Sequence, residues 1–250
     1  MSLDSIGNRM KLYYETIYSS IRFPMRMPLC IRIDGKTFSN LTKTCKKPFD
    51  DNFVALMQET AIYLCENIQG AQIAYVQSDE ISILVHNYKR FDSQPYLNNE
   101  LEKIISITAG MASSYFSINS GKVFNDQQKL AVFDSRAFVL PEAEVNNYFL
   151  WRQQDSTRNS ISMLARSLYS HKDCLGKNKN ELQEMCFQKG YNWNDLPTHL
   201  KRGSCVIKDY YFKEIDDKTI VRSKWIIDNN IPIFSQNKDY INNLLSVEEE

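Results

Sequence analysis

The sequence predicts an α+β fold of the ferredoxin-like type: an antiparallel sheet with helices on one face, followed by a helical or irregular C-terminal appendage. Three observations point there. Strand and helix signals follow one another as β-α-β-β-α-β, the split βαβ order. Two of the strands are separated only by Ser78-Asp79-Glu80, a hairpin signal. The 250 residues are 43% hydrophobic, enough for a sizeable core and unlike a disordered chain.

Residues 27–33 (MPLCIRI) read as a buried strand ending in the turn signal Asp34-Gly35. Asp50 or Asp51 caps a helix whose apolar positions are Phe53, Met57, Ala61, Leu64 and Ile68, with Gly70 as its stop. Residues 72–77 and 81–86 are the hairpin strands. Residues 100–118 form a helix, in which Ala109, Gly110, Ala112 and Ser113 permit close approach to the sheet. Residues 129–140 read as a further strand; Pro141 then opens a helix that runs to about Tyr169. The split βαβ order sets the first and third strands side by side, so that Asp34 and Asp79 meet at one end of the sheet. From about residue 171 the composition is mixed, and the chain divides as a catalytic unit over 1–170 and an appendage over 171–250 packed on it as one continuous body.

Thirty Lys and Arg balance thirty Asp and Glu, so any nucleic-acid site must be a local patch. Six cysteines without C-x-x-C spacing and three histidines disfavour a structural zinc site and a disulfide framework. No apolar run approaches the roughly 20 residues of a membrane helix, and the N-terminal residues show no apolar signal region. A reducing compartment is expected: the cytoplasm, with the mitochondrion left open. The only low-complexity stretch is the acidic tail Glu248, Glu249, Glu250.

Asp34 and Asp79 carry the strongest chemical signal. Two converging carboxylates repel, and such a site usually holds a cation or a proton between them. Oxygen donors suit Mg²⁺, and Gly35 lets its carbonyl approach as a further ligand. Two metals held this way clamp the attacking and leaving oxygens of a nucleotidyl transfer. Spacing alone favours two turn aspartates, because Asp-Gly turns are common. Arg32, Lys36, Lys43, Lys46 and Lys47 lie near Asp34 in sequence and suit a triphosphate, or simply a solvated loop. Glu80 supports a metal-bound water if it lies in the turn, and points to the other face if it continues the strand. His86, His171 and His199 form no motif. Arg152, Arg158 and Asn159 lie on a helix that packs on the sheet; they suit phosphate binding or an internal network.

The segments Arg32-Ile33-Asp34-Gly35-Lys36-Thr37-Phe38, Lys47-Pro48-Phe49-Asp50 and Gln77-Ser78-Asp79-Glu80-Ile81-Ser82 occur in one order with Ala112-Ser113-Ser114-Tyr115 and Phe133-Asp134-Ser135-Arg136. Trp151-Arg152-Gln153-Gln154-Asp155 and Lys201-Arg202-Gly203 complete the series. On these motifs, spread from about residue 8 to 208, the chain resembles the tRNA-His guanylyltransferase-like proteins, the 3′-to-5′ RNA polymerases.

The resemblance implies a polymerase-palm catalytic domain and a homotetramer acting on tRNA. It implies that Asp34, the Gly35 carbonyl and Asp79 hold two Mg²⁺, with Asp34, Asp79 and Glu80 as catalytic residues. Nucleotide binding falls to Arg32, to Asp34, Gly35, Lys36, Thr37, Phe38 and Ser39, and to Ser78 and Asp79. Lys47 and Lys103 match positions near triphosphates, and Asn159 joins them. Arg136, Arg152, Arg158, Lys201 and Arg202 are candidates for contact with RNA. The implied reaction activates a 5′-monophosphate end with ATP or GTP, after which the 3′-OH of an incoming nucleotide attacks that end.

One departure matters. Enzymes that add the extra guanosine to tRNA-His carry His-Ile-Asn-Asn after the Arg-Gln-x-Asp segment; here the place reads Thr157-Arg158-Asn159-Ser160. That variant matches the branch that rebuilds truncated tRNA 5′ ends against the opposite strand. The competing expectations are guanosine addition to tRNA-His alone, a palm-domain nucleotide cyclase or dinucleotide synthase, and a non-catalytic RNA-binding or chaperone protein. Retention of the repelling carboxylates argues against the last.

Overall fold

The computed structural model describes residues 5–90, 92–215 and 218–246; the acidic tail lies outside them. After a helical segment over residues 6–19, the chain forms β1 (Leu29–Gly35), α1 (Asp51–Asn67), β2 (Ala71–Gln77), β3 (Glu80–Val85), α2 (Leu101–Asn119) and β4 (Phe133–Val139). Then follow α3 (Glu142–Leu168), α4 (Lys179–Gln188), α5 (Thr198–Arg202), β5 (Ser204–Ile215) and β6 (Lys218–Asp228). One antiparallel sheet runs in the order β4-β1-β3-β2-β5-β6. Its first four strands are the expected ferredoxin-like arrangement, with β1 and β3 adjacent.

Local chemistry accounts for the element ends. The Asp50 carboxylate accepts the Phe53 N–H at 3.1 Å and caps α1. Gly70, at φ 82°, turns the chain into β2. Pro141 is the N-cap of α3 rather than its first helical residue. The last strand of the split βαβ unit begins only at Phe133, because residues 129 and 131 are tied to the end of α2 and the turn after it: Ser117 Oγ accepts the Ala131 N–H at 2.9 Å, and Ser120 Oγ that of Lys129 at 2.7 Å. Gly110 faces away from the sheet, and Thr108 and Ala112 make the close approach.

Two expectations need correction. Helices cover both faces of the sheet, because both residue parities of the central strands are apolar. Leu29, Ile31 and Ile33 of β1 face α1 and α2, whereas Cys30, with Tyr75 and Leu84, faces Val145, Tyr148 and Phe149 of α3. The C-terminal part is also not merely helical and irregular. It supplies β5 and β6, and β5 pairs with β2 through residues 204–207 before the hairpin runs on beyond β2. The alternation in KDYYFKEI and TIVRSKWII is weak because Tyr210, Phe212 and Val221 are exposed rather than buried.

All six cysteines are free. Among the described residues, no helix is long and apolar enough to cross a membrane.

Candidate active site

The end of β1 and the β2–β3 turn meet. Asp34 is the register partner of Glu80, and the Gly35 N–H donates to the Asp79 carbonyl at 3.0 Å. The two candidate carboxylates therefore share one end of the sheet, as the strand order requires. Two non-glycine residues here adopt left-handed backbone: Thr37 at φ 57° and Ser78 at φ 47°. Such conformations cost energy and persist where the surroundings enforce them. Gly35 has no spare room, since a Cβ there would lie 2.4 to 2.8 Å from the Phe38 ring.

The surroundings disfavour the charged form of both carboxylates. Burial pushes the Asp34 carboxyl above its usual range, and Asp134, its register partner on β4, adds to the shift; Arg136, Arg32 and Arg152 oppose it. Burial likewise raises Asp79, helped by the Asp34 charge, while a hydrogen bond from Ser78 Oγ at 3.0 Å works the other way. Among the described residues no three Asp, Glu, His or Cys side chains cluster into a metal cage. Two lifted carboxylates supplemented by backbone and phosphate oxygens instead match the way Mg²⁺ is commonly held, and the donor set fits it.

Beside Asp79 opens a cavity of 450 Å³. Its walls are the loop before α1, the Ser78-Asp79 turn, one face of α3, and α5. Of the expected residues it gathers Ser39, Lys47, Ser78, Asp79 and Asn159, with the edge of Phe38. The loop is shaped by Asp50, whose second oxygen accepts the Lys46 N–H at 2.9 Å. Lys47 Nζ donates to the Thr42 carbonyl at 3.2 Å, and the Lys47-Pro48 peptide is cis.

Other expected residues lie elsewhere. Glu80 is not in the turn; it continues the strand onto the α3 face, only 9% exposed. There it accepts the Arg152 Nε–H at 2.8 Å and the Gln77 amide at 3.2 Å, which makes it a support of the turn. Burial still raises its carboxyl, more than Arg152 lowers it. Arg152 also binds Asp155 at 2.5 Å and is 5% exposed, so it is an internal residue rather than an RNA contact. Phe38 is mainly core, packed on Phe133 and Phe116 with centroids 4.8 and 5.3 Å away.

Arg32 lies over the Trp151 ring at 5.7 Å on the same face as Asp34. Lys36 and Thr37 are exposed beside it. Lys103 pairs with Glu100 at 2.6 Å near the start of α2. Since Ser113 meets Phe133 and Thr108 meets Ser135, Lys103 sits toward the opposite end of β4 and does not reach the carboxylates within this chain. Arg136 and Arg158 are exposed and pair with Asp134 and Asp155. Lys201 Nζ donates to the Asn194 carbonyl at 2.6 Å, and the Arg202 carbonyl accepts from Tyr75 Oη.

No motif or spacing singles out Arg166 and His199, which line the same cavity. Arg166 follows the α3 spacing of Ser156, Asn159 and Met163, a periodicity visible only once that face is known to border a cavity.

Residues 7–141 match the family model for tRNAHis guanylyltransferase, Thg1. The chain belongs to the Thg1 family. It is 44% identical to a bacterial tRNA(His) guanylyltransferase (Thg1)-like protein solved in complex with ATP, with a TM-score of 0.89 over 98% of this chain and 100% of that one. A complex of a bacterial Thg1-like protein with GTP gives the same identity and a TM-score of 0.82, covering 97% of this chain and 99% of that one. A curated relative, tRNA(His) guanylyltransferase 1 of Arabidopsis thaliana, is 31% identical over 72% of this chain, which spans 34% of that protein's length. The Thg1-family sheet with its helices is thus the fold of this chain, and the family is one of nucleotidyltransferase-type enzymes.

Proposed function

We propose that this protein rebuilds truncated tRNA 5′ ends, adding in the 3′-to-5′ direction the nucleotide that pairs with the opposing base. ATP or GTP activates the 5′-monophosphate: a phosphate oxygen attacks the α-phosphorus and pyrophosphate leaves. The 3′-OH of the incoming nucleotide then attacks the activated 5′-phosphorus, and the nucleoside monophosphate leaves. Asp34, Asp79 and the Gly35 carbonyl would hold two Mg²⁺, which supply charge neutralisation at attacking and leaving oxygens. Lys46 and Lys47 offer cations to a triphosphate in the adjoining cavity. The 44% identity to proteins solved with ATP and with GTP supports nucleotide binding here. The RNA would meet Arg136, Arg158, Lys201 and Arg202. The exposed apolar residues Ile6, Leu12, Ile17 and Ile21 favour an assembly of several copies, a homotetramer.

The observation that carries the template reading is the state of residues 157–160. Thr157 Oγ1 donates to the Gln153 carbonyl at 3.0 Å, and Arg158 is paired with Asp155. Ser160 Oγ donates to the Lys201 carbonyl and accepts the Trp193 indole N–H at 2.9 Å. Three of the four are engaged internally; of the two that border the cavity, Asn159 and Ser160, the Ser160 hydroxyl is already held by its internal bonds. An enzyme that adds a fixed base without a pairing partner needs dedicated readers of that base; one that copies a template takes its selectivity from the pair.

The test is a set of tRNAs lacking the first nucleotide, with each of the four bases opposite the gap, run against intact tRNA-His as competitor. The added nucleotide should follow the opposing base. Guanosine regardless of that base, or preference for intact tRNA-His, would give the reaction to the second reading, guanosine addition, which the names of the family model and of the curated relative favour.

A further inference from the structure

The cavity beside Asp79 has cations at two separate places, and the nucleotide reading uses only one of them. Lys46 and Lys47 belong to the loop before α1. The second place is Arg166 on α3, next to His199 of α5, whose imidazole burial keeps uncharged and so a hydrogen-bonding neighbour rather than a cation; α3 and α5 pack on each other through Ser160 Oγ and the Lys201 carbonyl at 3.1 Å. Along α3 the cavity face is Ser156, Asn159, Ser160, Met163 and Arg166, one stripe of the helix. Its inner end is fixed: Arg152, one turn before Ser156, is bonded to Glu80, the neighbour of Asp79. Ten residues of α3 separate Ser156 from Arg166, about 15 Å of helix.

Two substrates must meet at Asp34 and Asp79, an RNA end and a nucleotide, and the two cation groups lie on different walls. Arg166 is exposed, and among the described residues no ion pair or hydrogen bond engages its guanidinium. An arginine left without a carboxylate at the mouth of a cavity is a ready phosphate ligand. At about 3.4 Å of rise per nucleotide, 15 Å corresponds to several nucleotides from the reacting end. Met163, 37% exposed between Asn159 and Arg166, offers an apolar surface to the intervening strand.

We propose that Arg166, assisted by His199, binds an internal phosphate of the RNA strand whose 5′ end lies at Asp79, so that the outer half of the α3 face is a track for the strand. This rests on the tRNA reading above and adds to it where the strand enters. Specificity is untouched, because a phosphate contact positions the strand without reading its bases.

The experiment compares the wild type with Arg166→Gln and Arg166→Lys, with thermal melts as the check on folding. Filter binding measures the affinity for a 5′-truncated tRNA without nucleotide at several salt concentrations; a separate titration measures ATP. Arg166→Gln should weaken RNA binding about tenfold and lower the salt slope by about one contact, with ATP affinity unchanged and partial recovery in Arg166→Lys. Equal loss of ATP and RNA affinity would show that Arg166 serves the nucleotide, and unchanged RNA affinity that it serves neither; both overturn the proposal. A wild type that binds no RNA overturns the tRNA reading as well. A wild type that binds RNA but adds guanosine whatever the opposing base overturns only the template reading, and the Arg166→Gln affinity still decides this one.

Discussion

Arg152 Nε donates to Glu80 Oε1 at 2.8 Å across the α3–β3 interface, with side chains only 6% and 12% exposed. The pair ties the long helix bordering the cavity to the strand that starts beside Asp79. A buried carboxylate that loses its cation costs about 3–5 kcal/mol. Arg152→Leu should therefore lower unfolding free energy by that order in a urea titration at pH 7. Glu80 already has its carboxyl raised by burial, so the loss should shrink at acidic pH, where the carboxyl protonates. A pH-independent loss would mean that Arg152 acts by packing alone.

Gly35→Ala tests the tightness of the β1 end. The new Cβ would meet the Phe38 ring at 2.4 Å, and that ring is wedged against Phe133 and Phe116. Phe38 must move, and overpacking of this kind costs about 1–3 kcal/mol. Chemical denaturation should show that loss, and nucleotide addition should fall further than stability does, because the Gly35 N–H to Asp79 link shifts too. A variant with wild-type stability and activity would show that the loop absorbs the methyl.

The strand order and the meeting of Asp34 with Asp79 were legible because apolar runs, a three-residue bend and the split βαβ order leave little freedom of topology. The placement of Glu80 was not. Strand parity sends it to the α3 face, but only the position of Arg152 turns that parity into an ion pair. The β5–β6 hairpin stayed hidden because strand signals depend on one buried face, and Tyr210, Phe212 and Val221 bury none. Lys103 illustrates a different limit: a motif fixes a residue in the sequence, whereas the direction of α2 along β4 sets which end of the sheet it reaches.

Lys47→Ala should weaken nucleotide binding. Its ammonium sits on the cavity wall with one contact to the Thr42 carbonyl at 3.2 Å, leaving donors for phosphate. Loss of a hydrogen bond to a charged group costs about 1.5–3 kcal/mol, roughly 10- to 150-fold in affinity at 1.4 kcal/mol per tenfold. Equilibrium titration with ATP and GTP measures it. Unchanged affinities for both would leave Lys47 as a loop lysine that only braces residue 42.

Asp34→Ala and Asp79→Ala should each abolish nucleotide addition, and the isosteric Asp79→Asn separates charge from shape. In the folded protein the Asp34 and Asp79 carboxyls titrate above their usual range, chiefly from burial and then from neighbouring carboxylates. A folded-state pKa above the unfolded value means that folding favours the protonated form. The resulting stability is complete below the unfolded pKa of about 3.9 and is lost as pH rises through the folded value. Without Mg²⁺, the wild type should thus give up this contribution as pH rises above about 4. Asp79→Asn removes both its own charge and its repulsion of Asp34, so in EDTA at pH 7 it should melt above the wild type. The gap between the two proteins should close toward pH 4. Added Mg²⁺ should raise the wild-type melting temperature and leave Asp79→Asn nearly unmoved, because one carboxylate of the pair is gone. Thermal melts from pH 4 to 8, with EDTA or with Mg²⁺, read every term. If Asp79→Asn melts below the wild type in EDTA at pH 7, or if Mg²⁺ shifts both proteins alike, these carboxylates are ordinary turn residues and the metal assignment fails.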